Sequence, residues 1–172
     1  QQRKSYGDVY YAAVLVDSSP QKLEAVAGRF DLKLFGSKPQ ALPESSPLHR
    51  CFQSEVWGSD MYQALRRSKI TLNSHIDFAG REAGNMRLFE ATGAGVYLLT
   101  DFKDSLHTLF EPGRDVAVWR SIEECLAGIE RALRDDAGRS EIARAGHART
   151  MAQHTYRQRV RQILGFVERI RP

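Results

Sequence analysis

Short apolar runs alternate with helical patterns along most of this 172-residue chain, and that alternation limits the fold more than any other feature. Residues 11–16 form a continuous apolar run, as expected of a strand buried on both faces. Ser18, Ser19 and Pro20 follow as a helix start, and apolar residues then recur at helical spacing. Strands that alternate with helices predict a parallel sheet with helices on both faces.

The same patterns predict the remaining elements. Further strands are expected at residues 32–35, 52–56, 70–73, 96–99 and, more weakly, 115–118. Helices are expected at residues 58–67, 86–92, 140–152 and about 157–170, and behind a Ser-x-x-Glu capping box at residues 121–124. Gly93 is expected to stop the helix over 86–92, and Trp57 and Trp119 are expected to pack. Ligands bind beyond the carboxyl ends of such strands, which directs attention to the loops at 17–19, 36–50, 73–85 and 100–104.

Composition fits one domain with a full-sized core, and because the chain lacks an initiator Met we expect a fragment of a longer protein. The net charge of +4 favours an anionic partner, which could be nucleic acid, anionic lipid or a phosphorylated ligand. The basic residues are diffuse and no nucleic-acid motif is present, so we predict no nucleic-acid partner. Cys51 and Cys125 lie far apart and form no metal or disulfide pattern, which indicates a reducing, cytoplasmic setting.

The stretch over residues 82–96 carries the chemistry, because it combines a loop, a helix start, a short helix and a buried strand. Gly84 lets backbone amides approach a ligand, and Asn85 is a good N-cap for a helix whose amino end attracts anions. Arg87 could bind phosphate, and Glu90 could accept hydrogen bonds from a vicinal diol such as a ribose. Each residue also has a structural alternative: Glu82 and Glu90 as surface charges, Asn85 as a cap alone, Arg87 paired with a glutamate.

This stretch resembles the C-terminal half of the group 1 glycosyltransferases, which are retaining enzymes with two Rossmann-like domains (type B). That family carries two glutamates separated by seven residues, then Ala-x-x-x-Gly and an apolar strand, as in Glu82, Glu90 and residues 91–96. The pattern Asn-x-Arg-x-Phe-Glu-Ala over residues 85–91 is similar to the spore-maturation-like branch. Segments 61–65, 68–73, 145–147 and 154–159 match the family in the same order.

The resemblance implies an α/β fold, a Rossmann-like doubly wound parallel sheet with helices on both faces, forming the C-terminal half of a type B glycosyltransferase. Residues 1–172 would be a single nucleotide-sugar-binding domain, with the final helix at about 157–170 packed outside the sheet. The enzyme would transfer a sugar from a nucleotide-diphosphate sugar to an acceptor. An N-terminal, acceptor-binding domain would be missing here, so the isolated domain would be inactive.

By the same resemblance, Glu90 would bind the ribose hydroxyls and Glu82, the one catalytic candidate, would lie near the donor sugar with Gly84 and Asn85. Arg87, Ser18, Ser19 and Lys22 would face the pyrophosphate, and the base would lie near the loop after Gly36. His75 follows a predicted strand at the edge of the sheet where ligands are expected to bind. It could contact the donor, or it could be a loop residue with no function. No cofactor is predicted besides the nucleotide sugar as co-substrate, and no metal, since no Asp-x-Asp motif is visible.

Two further alternatives stay open. The usual Glu-x-Phe-Gly opening is replaced by Glu82-Ala83-Gly84-Asn85, which keeps a non-catalytic scaffold or partner-binding module in view. The last helix has an apolar stripe and an arginine-rich face. In the family this helix packs toward the N-terminal domain; the alternatives are a helix that covers its own sheet, or peripheral association with a membrane. His154 is expected to fix the start of this helix.

Overall fold

The computed structural model describes residues 9–12, 20–36 and 42–170. Five strands form one sheet in the order β2-β1-β3-β4-β5, and all four pairings are parallel. The strands are β1 (Val9–Ala12), β2 (Leu32–Phe35), β3 (Ile70–Asn73), β4 (Tyr97–Asp101) and β5 (Ala117–Trp119). The order reverses between β1 and β3, and this switch point is where parallel sheets of this kind bind ligands. The predicted Rossmann-like sheet is confirmed.

Helices cover both faces of the sheet, because its strands are apolar on both sides. The helices are α1 (Pro20–Ala27), α2 (Gly58–Arg66), α3 (Met86–Gly93), α4 (Ile122–Arg134), α5 (Asp136–Gln153) and α6 (Tyr156–Ile170). Consecutive residues of β4 divide between the two cores, since side chains alternate along a strand. Leu99 packs in the core under α1 and α4, and Leu98 packs in the core under α2 and α3.

The end of α3 differs from the prediction that Gly93 stops the helix. Gly93 is the last helical residue, and the chain turns at Gly95, which has a φ of 75°. The amide of Gly95 donates to the carbonyl of Thr92 at 2.9 Å, and the amide of Val96 donates to the carbonyl of Ala91 at 3.1 Å. These two bonds form a Schellman motif, which leads α3 directly into β4.

Three other elements differ from their predicted bounds. Residues 52–56 form no strand, because only Phe52 bridges to Leu34 at the edge of the sheet before the chain turns into α2. The last strand is Ala117–Trp119 and not 115–118, because the Asp115 carboxylate is engaged in a turn, where it accepts from the amide of Glu111. Of the run predicted over 11–16, residues 11 and 12 belong to β1 and residues 13–16 lie outside the described part of the chain.

The two tryptophans differ from each other. Trp119 is buried as predicted, whereas Trp57 is 75% exposed at the N-cap of α2, so the prediction that it packs is wrong. Its exposure fits its position, because residues 58–60 of α2 are exposed too and the helix buries only Ala64 and Leu65 near its other end.

α5 begins earlier than predicted, since the carboxylate of Asp135 accepts from the amide of Gly138 at 2.9 Å and caps it. It packs against α3 through the hydroxyls of Thr92 and Thr150, which lie 2.6 Å apart. α6 follows with no buried residue, so it does not cover its own sheet. None of the helices in the described part of the chain is long and apolar enough to cross a membrane.

Candidate functional site

A buried polar cluster marks the carboxyl edge of the sheet beside the switch point. Asn73 ends β3, is 4% exposed, and donates its amide to Thr100 Oγ1 of β4 at 2.9 Å. Its Oδ1 accepts from the side-chain amide of Asn85 at 2.8 Å. The start of α3 is therefore bonded to the end of β3 and, through Asn73, to the end of β4.

Asn85 is the N-cap of α3, as predicted. Its backbone is extended, and its side-chain oxygen accepts from the amide of Leu88 at 3.3 Å. A capped helix start leaves the positive end of the helix dipole directed at the edge of the sheet, where an anion is stabilised.

Two backbone amides of the loop before α3, residues 74–84, donate within the protein. The amide of Ala83 donates to Ser105 Oγ at 2.8 Å, and the amide of Gly84 donates to His75 Nε2 at 3.4 Å. Glu82 is exposed on the same loop, and Gly84 is exposed as well. This loop is therefore held by side chains from other segments and presents Glu82 outward.

Arg87 and Glu90 form an ion pair on α3, the structural alternative considered for Arg87. Arg87 Nη1 lies 2.9 Å from Glu90 Oε2 and 3.5 Å from the sulfur of Met61 on α2, and the two charged side chains are 18% and 15% exposed. Glu90 lines a groove of about 440 Å³ between α3 and the junction of α5 with α6, and Tyr62 and Tyr156 line it as well. Burial, and then the negative charge of Glu90, raise the pKa of Tyr62.

Lys22 lies at the same edge, on the first turn of α1. Its Nζ is 5.3 Å from the centre of the Trp119 ring, and its side chain shares the lining of a cavity of about 30 Å³ with Asn73 and Ser74. The structure therefore brings the beginning of α1 near the end of β3. Ser18, Ser19 and residues 37–41 of the loop expected to hold the base lie outside the described residues.

His75 is buried at this edge, and its side chain is 2% exposed. Its Nδ1 lies 2.7 Å from Asp101 Oδ1, and its backbone amide donates to the same oxygen at 2.9 Å. Sequence reasoning missed Asp101, Asn73 and Ser105. The signal for the first two was present, because each is a polar residue that ends a buried apolar run at the edge where ligands bind.

No candidate metal site is found among residues 9–12, 20–36 and 42–170, because no three His, Cys, Asp or Glu side chains there lie close enough together to hold a metal ion. Lys103 and Arg81 supply positive charge beside the loop, each engaged with an aspartate, Asp101 and Asp104 respectively. The arrangement suits an anionic ligand bound between the starts of α1 and α3.

Comparison with known proteins gives one family and many structures of the same fold. A family model described as glycosyl transferase-like matches residues 19–165. The sucrose-phosphate synthase of Thermosynechococcus elongatus superposes with a TM-score of 0.74 at 13% identity, over 96% of this chain and 46% of that one. The HepE protein of Anabaena, in complex with UDP-glucose, gives 0.72 at 14% identity, over 95% and 49%.

A third structure matches over most of its own length. It is the C-terminal domain of a glycosyl transferase group 1 family protein of Francisella tularensis, with a TM-score of 0.60 at 11% identity, over 86% of this chain and 85% of that one. This chain spans about half the length of the sucrose-phosphate synthase and of HepE. Among curated proteins, none is similar enough to count as a match.

Proposed function

This chain belongs to the glycosyl transferase-like family, and from that premise we propose that it is the donor-binding part of an enzyme that transfers a sugar from a nucleotide-diphosphate sugar to an acceptor. The HepE structures of the same fold hold UDP and UDP-glucose, so uridine diphosphate and its sugars are the first donors to test. The acceptor site lies in a further part of the enzyme, and the isolated domain is inactive in transfer.

One observation carries the proposal: Lys22 and the start of α3 lie at the same switch point of the sheet. Lys22 shares a cavity with Asn73, and Asn73 is bonded to Asn85 at the start of α3. An ammonium group and the positive end of a helix dipole at one edge suit a diphosphate, which carries charge on both phosphates. The diphosphate therefore binds between α1 and α3.

The nucleoside lies along α3, where the carboxylate of Glu90 accepts from the ribose hydroxyls. Arg87 holds one carboxylate oxygen of Glu90 at 2.9 Å, and Glu90 lines a groove that is open to solvent. A carboxylate can accept two hydrogen bonds from a vicinal diol, each strengthened by its charge. Glu82, exposed on the loop before α3, lies beside the donor sugar.

The contribution of this half to transfer is electrostatic. When the bond between sugar and diphosphate breaks, negative charge grows on the departing diphosphate. Lys22 and the start of α3 stabilise that charge, and the start of α3 is fixed in place before the reaction by the bond between Asn85 and Asn73.

A non-catalytic module is the second candidate, and a specific observation favours it. The amides of Ala83 and Gly84 donate to Ser105 and His75 within the protein, so the loop before α3 offers fewer donors to a ligand than its sequence predicts. If the module serves only as a scaffold, no nucleotide raises its melting temperature.

The test is a screen of nucleoside diphosphates and nucleotide sugars by thermal shift, followed by calorimetry. We expect binding in the micromolar to millimolar range. Lys22→Met should weaken the binding of nucleoside diphosphates by about tenfold, since a charged contact is lost. It should not change the affinity for a nucleoside that carries no phosphate. Arg134→Met removes the same charge from the last turn of α4 and is the matched control. A wild-type chain that binds no nucleotide contradicts the proposal.

A further inference from the structure

His75 and Asp101 form a buried pair that joins β3 to β4 beyond the ends of both strands. Asp101 Oδ1 accepts from the backbone amide of His75 at 2.9 Å and lies 2.7 Å from its Nδ1. The side chains are 2% and 14% exposed. A buried imidazole with a carboxylate at this distance is fixed in both position and orientation.

The other ring nitrogen faces the loop before α3. Nε2 lies 3.4 Å from the backbone nitrogen of Gly84. Because a backbone N–H can only donate, Nε2 must be the unprotonated acceptor, and the ring proton must be on Nδ1, where it is donated to Asp101. The carboxylate of Asp101 thus selects the tautomer that can hold Gly84.

We propose that His75 and Asp101 are positioning residues, which hold the amide of Gly84 and with it the loop that carries Glu82 in the orientation that donor binding requires. This inference rests on the proposed function. His75 acts through Gly84 and does not itself touch the donor, because both of its ring nitrogens are engaged and its ring is buried.

The loop needs such support, because hydrophobic packing does not fix it. Its two large apolar side chains, Ile76 and Phe78, are 48% and 95% exposed. Polar contacts from the segment after β4 hold it instead: Lys103 Nζ donates to the carbonyl of Gly80 at 2.9 Å, and the amide of Ser105 donates to the carbonyl of Arg81 at 3.3 Å.

These contacts hold the outer part of the loop, and Ser105 Oγ accepts from the amide of Ala83 at its end. His75 holds the next amide, that of Gly84, directly before the N-cap residue Asn85. Asn85 sets the position of α3, and only Gly84 lies between Asn85 and the contact with His75. A substitution at His75 should therefore shift the start of the helix. A donor contact with this turn is therefore sensitive to His75.

Two substitutions separate the two halves of the imidazole. The amide group of Gln reaches about as far as Nε2, so His75→Gln keeps an acceptor for Gly84 and gives up the Nδ1 proton. The amide group of Asn reaches about as far as Nδ1, so His75→Asn keeps a donor for Asp101 and leaves Gly84 without its acceptor. Both introduce an amide into the same buried site, and each serves as the control for the other.

The measurements are urea unfolding and calorimetry with UDP and UDP-glucose on each chain. We expect similar losses of stability in both variants. Donor affinity should stay near that of wild type in His75→Gln and fall about tenfold in His75→Asn, the equivalent of one hydrogen bond. If wild type binds the donor and the two variants bind it equally, the inference is overturned but the proposed function stands. If wild type binds no donor, both the inference and the proposed function are overturned.

Nitrogen-15 NMR of the imidazole gives a readout that needs no ligand and that a merely space-filling ring would not produce. In wild type the ring proton should be on Nδ1. In Asp101→Ala no acceptor faces Nδ1, so part of the population should carry the proton on Nε2 and lose the bond from Gly84. A wild-type proton on Nε2 overturns the inference even if neither His75 variant folds.

Discussion

The side-chain amide of Asn85 donates to Oδ1 of Asn73 at 2.8 Å, which bonds the start of α3 directly to the end of β3. The oxygen of the same side chain accepts from the amide of Leu88 at 3.3 Å and caps the helix. One residue therefore both begins α3 and fixes it over the switch point of the sheet, and the proposed contact between α3 and the donor's diphosphate depends on that placement.

Substitution of Asn85 should separate these two roles. Asn85→Ser keeps an oxygen that can cap α3 but removes the donor to Asn73, whereas Asn85→Ala removes both. We expect Asn85→Ala to lower the free energy of unfolding by about 1 kcal/mol more than Asn85→Ser, the usual contribution of an N-cap. Urea unfolding measures both. Equal losses would mean that the cap contributes nothing here.

Gly95 should tolerate no side chain, since its φ of 75° is unfavourable for L-residues. We expect Gly95→Ala to lower the free energy of unfolding by about 1 kcal/mol or more. Gly93→Ala is the matched control, because Gly93 is helical and an added Cβ would meet only Thr150 Cγ2 at 3.6 Å, an ordinary contact. Thermal unfolding should show Gly93→Ala at or above wild type. The reverse order would place the turn at Gly93 instead.

Much of the fold and the start of α3 could be predicted from the sequence, because both follow from the pattern of neighbouring residues. The alternation of apolar runs predicts the parallel sheet, and the residues 82–96 predict the helix, its cap and the strand behind it. The resemblance to group 1 type B glycosyltransferases is confirmed at the level of family and fold. The spore-maturation-like branch, the cytoplasmic setting and membrane association stay predictions. The prediction that Gly93 stops α3 was wrong, since the turn is at Gly95. The spacing of apolar residues does not reveal which of the two glycines has a positive φ.

The contacts that position the site could not be predicted, because they join distant segments. Asp101 follows His75 by 26 residues, and Ser105 follows Ala83 by 22. Nothing local distinguishes a buried His75 from one at the surface until β3 and β4 are paired. The exposure of Trp57 has a similar cause, since it depends on which part of α2 packs on the core.

His154 should make stability depend on pH, because burial lowers its pKa. Its ring packs on Phe89 and Phe110, Nε2 donates to the carbonyl of Leu109 at 2.9 Å, and Nδ1 accepts from Arg159. The unfolded chain, with a pKa of about 6.5, takes up the proton first as pH falls. The stabilisation is therefore present above that value and is lost as pH falls through the folded pKa.

The comparison variant is His154→Gln, whose amide can still donate to Leu109 but does not titrate. We expect wild type to lose more stability than this variant between pH 7.5 and pH 5.5, measured by urea unfolding at each pH. If the two chains lose the same amount, His154 does not contribute to the dependence.

The two cysteines should be unreactive in the folded chain. Both are free and buried, and burial raises the pKa of Cys125 to about 12. Because the thiolate is the reactive form, a thiol reagent at pH 8 should modify Cys125 only at the rate of unfolding. Addition of urea should make both react within seconds. Rapid modification of the native chain at Cys125 would contradict its placement on the buried face of α4.

The central claim is that Glu90 holds a ribose beside the diphosphate site, and calorimetry with UDP and 2′-deoxy-UDP tests it most directly. Wild type should bind UDP about tenfold more tightly than the deoxy analogue, since one hydrogen bond to a charged group is lost. Glu90→Gln should bind both weakly and nearly equally, and Glu130→Gln, which alters a glutamate paired with Arg134 on α4, should behave as wild type. Wild-type binding that ignores the 2′-hydroxyl, or a preference for UDP that survives Glu90→Gln, would contradict the account.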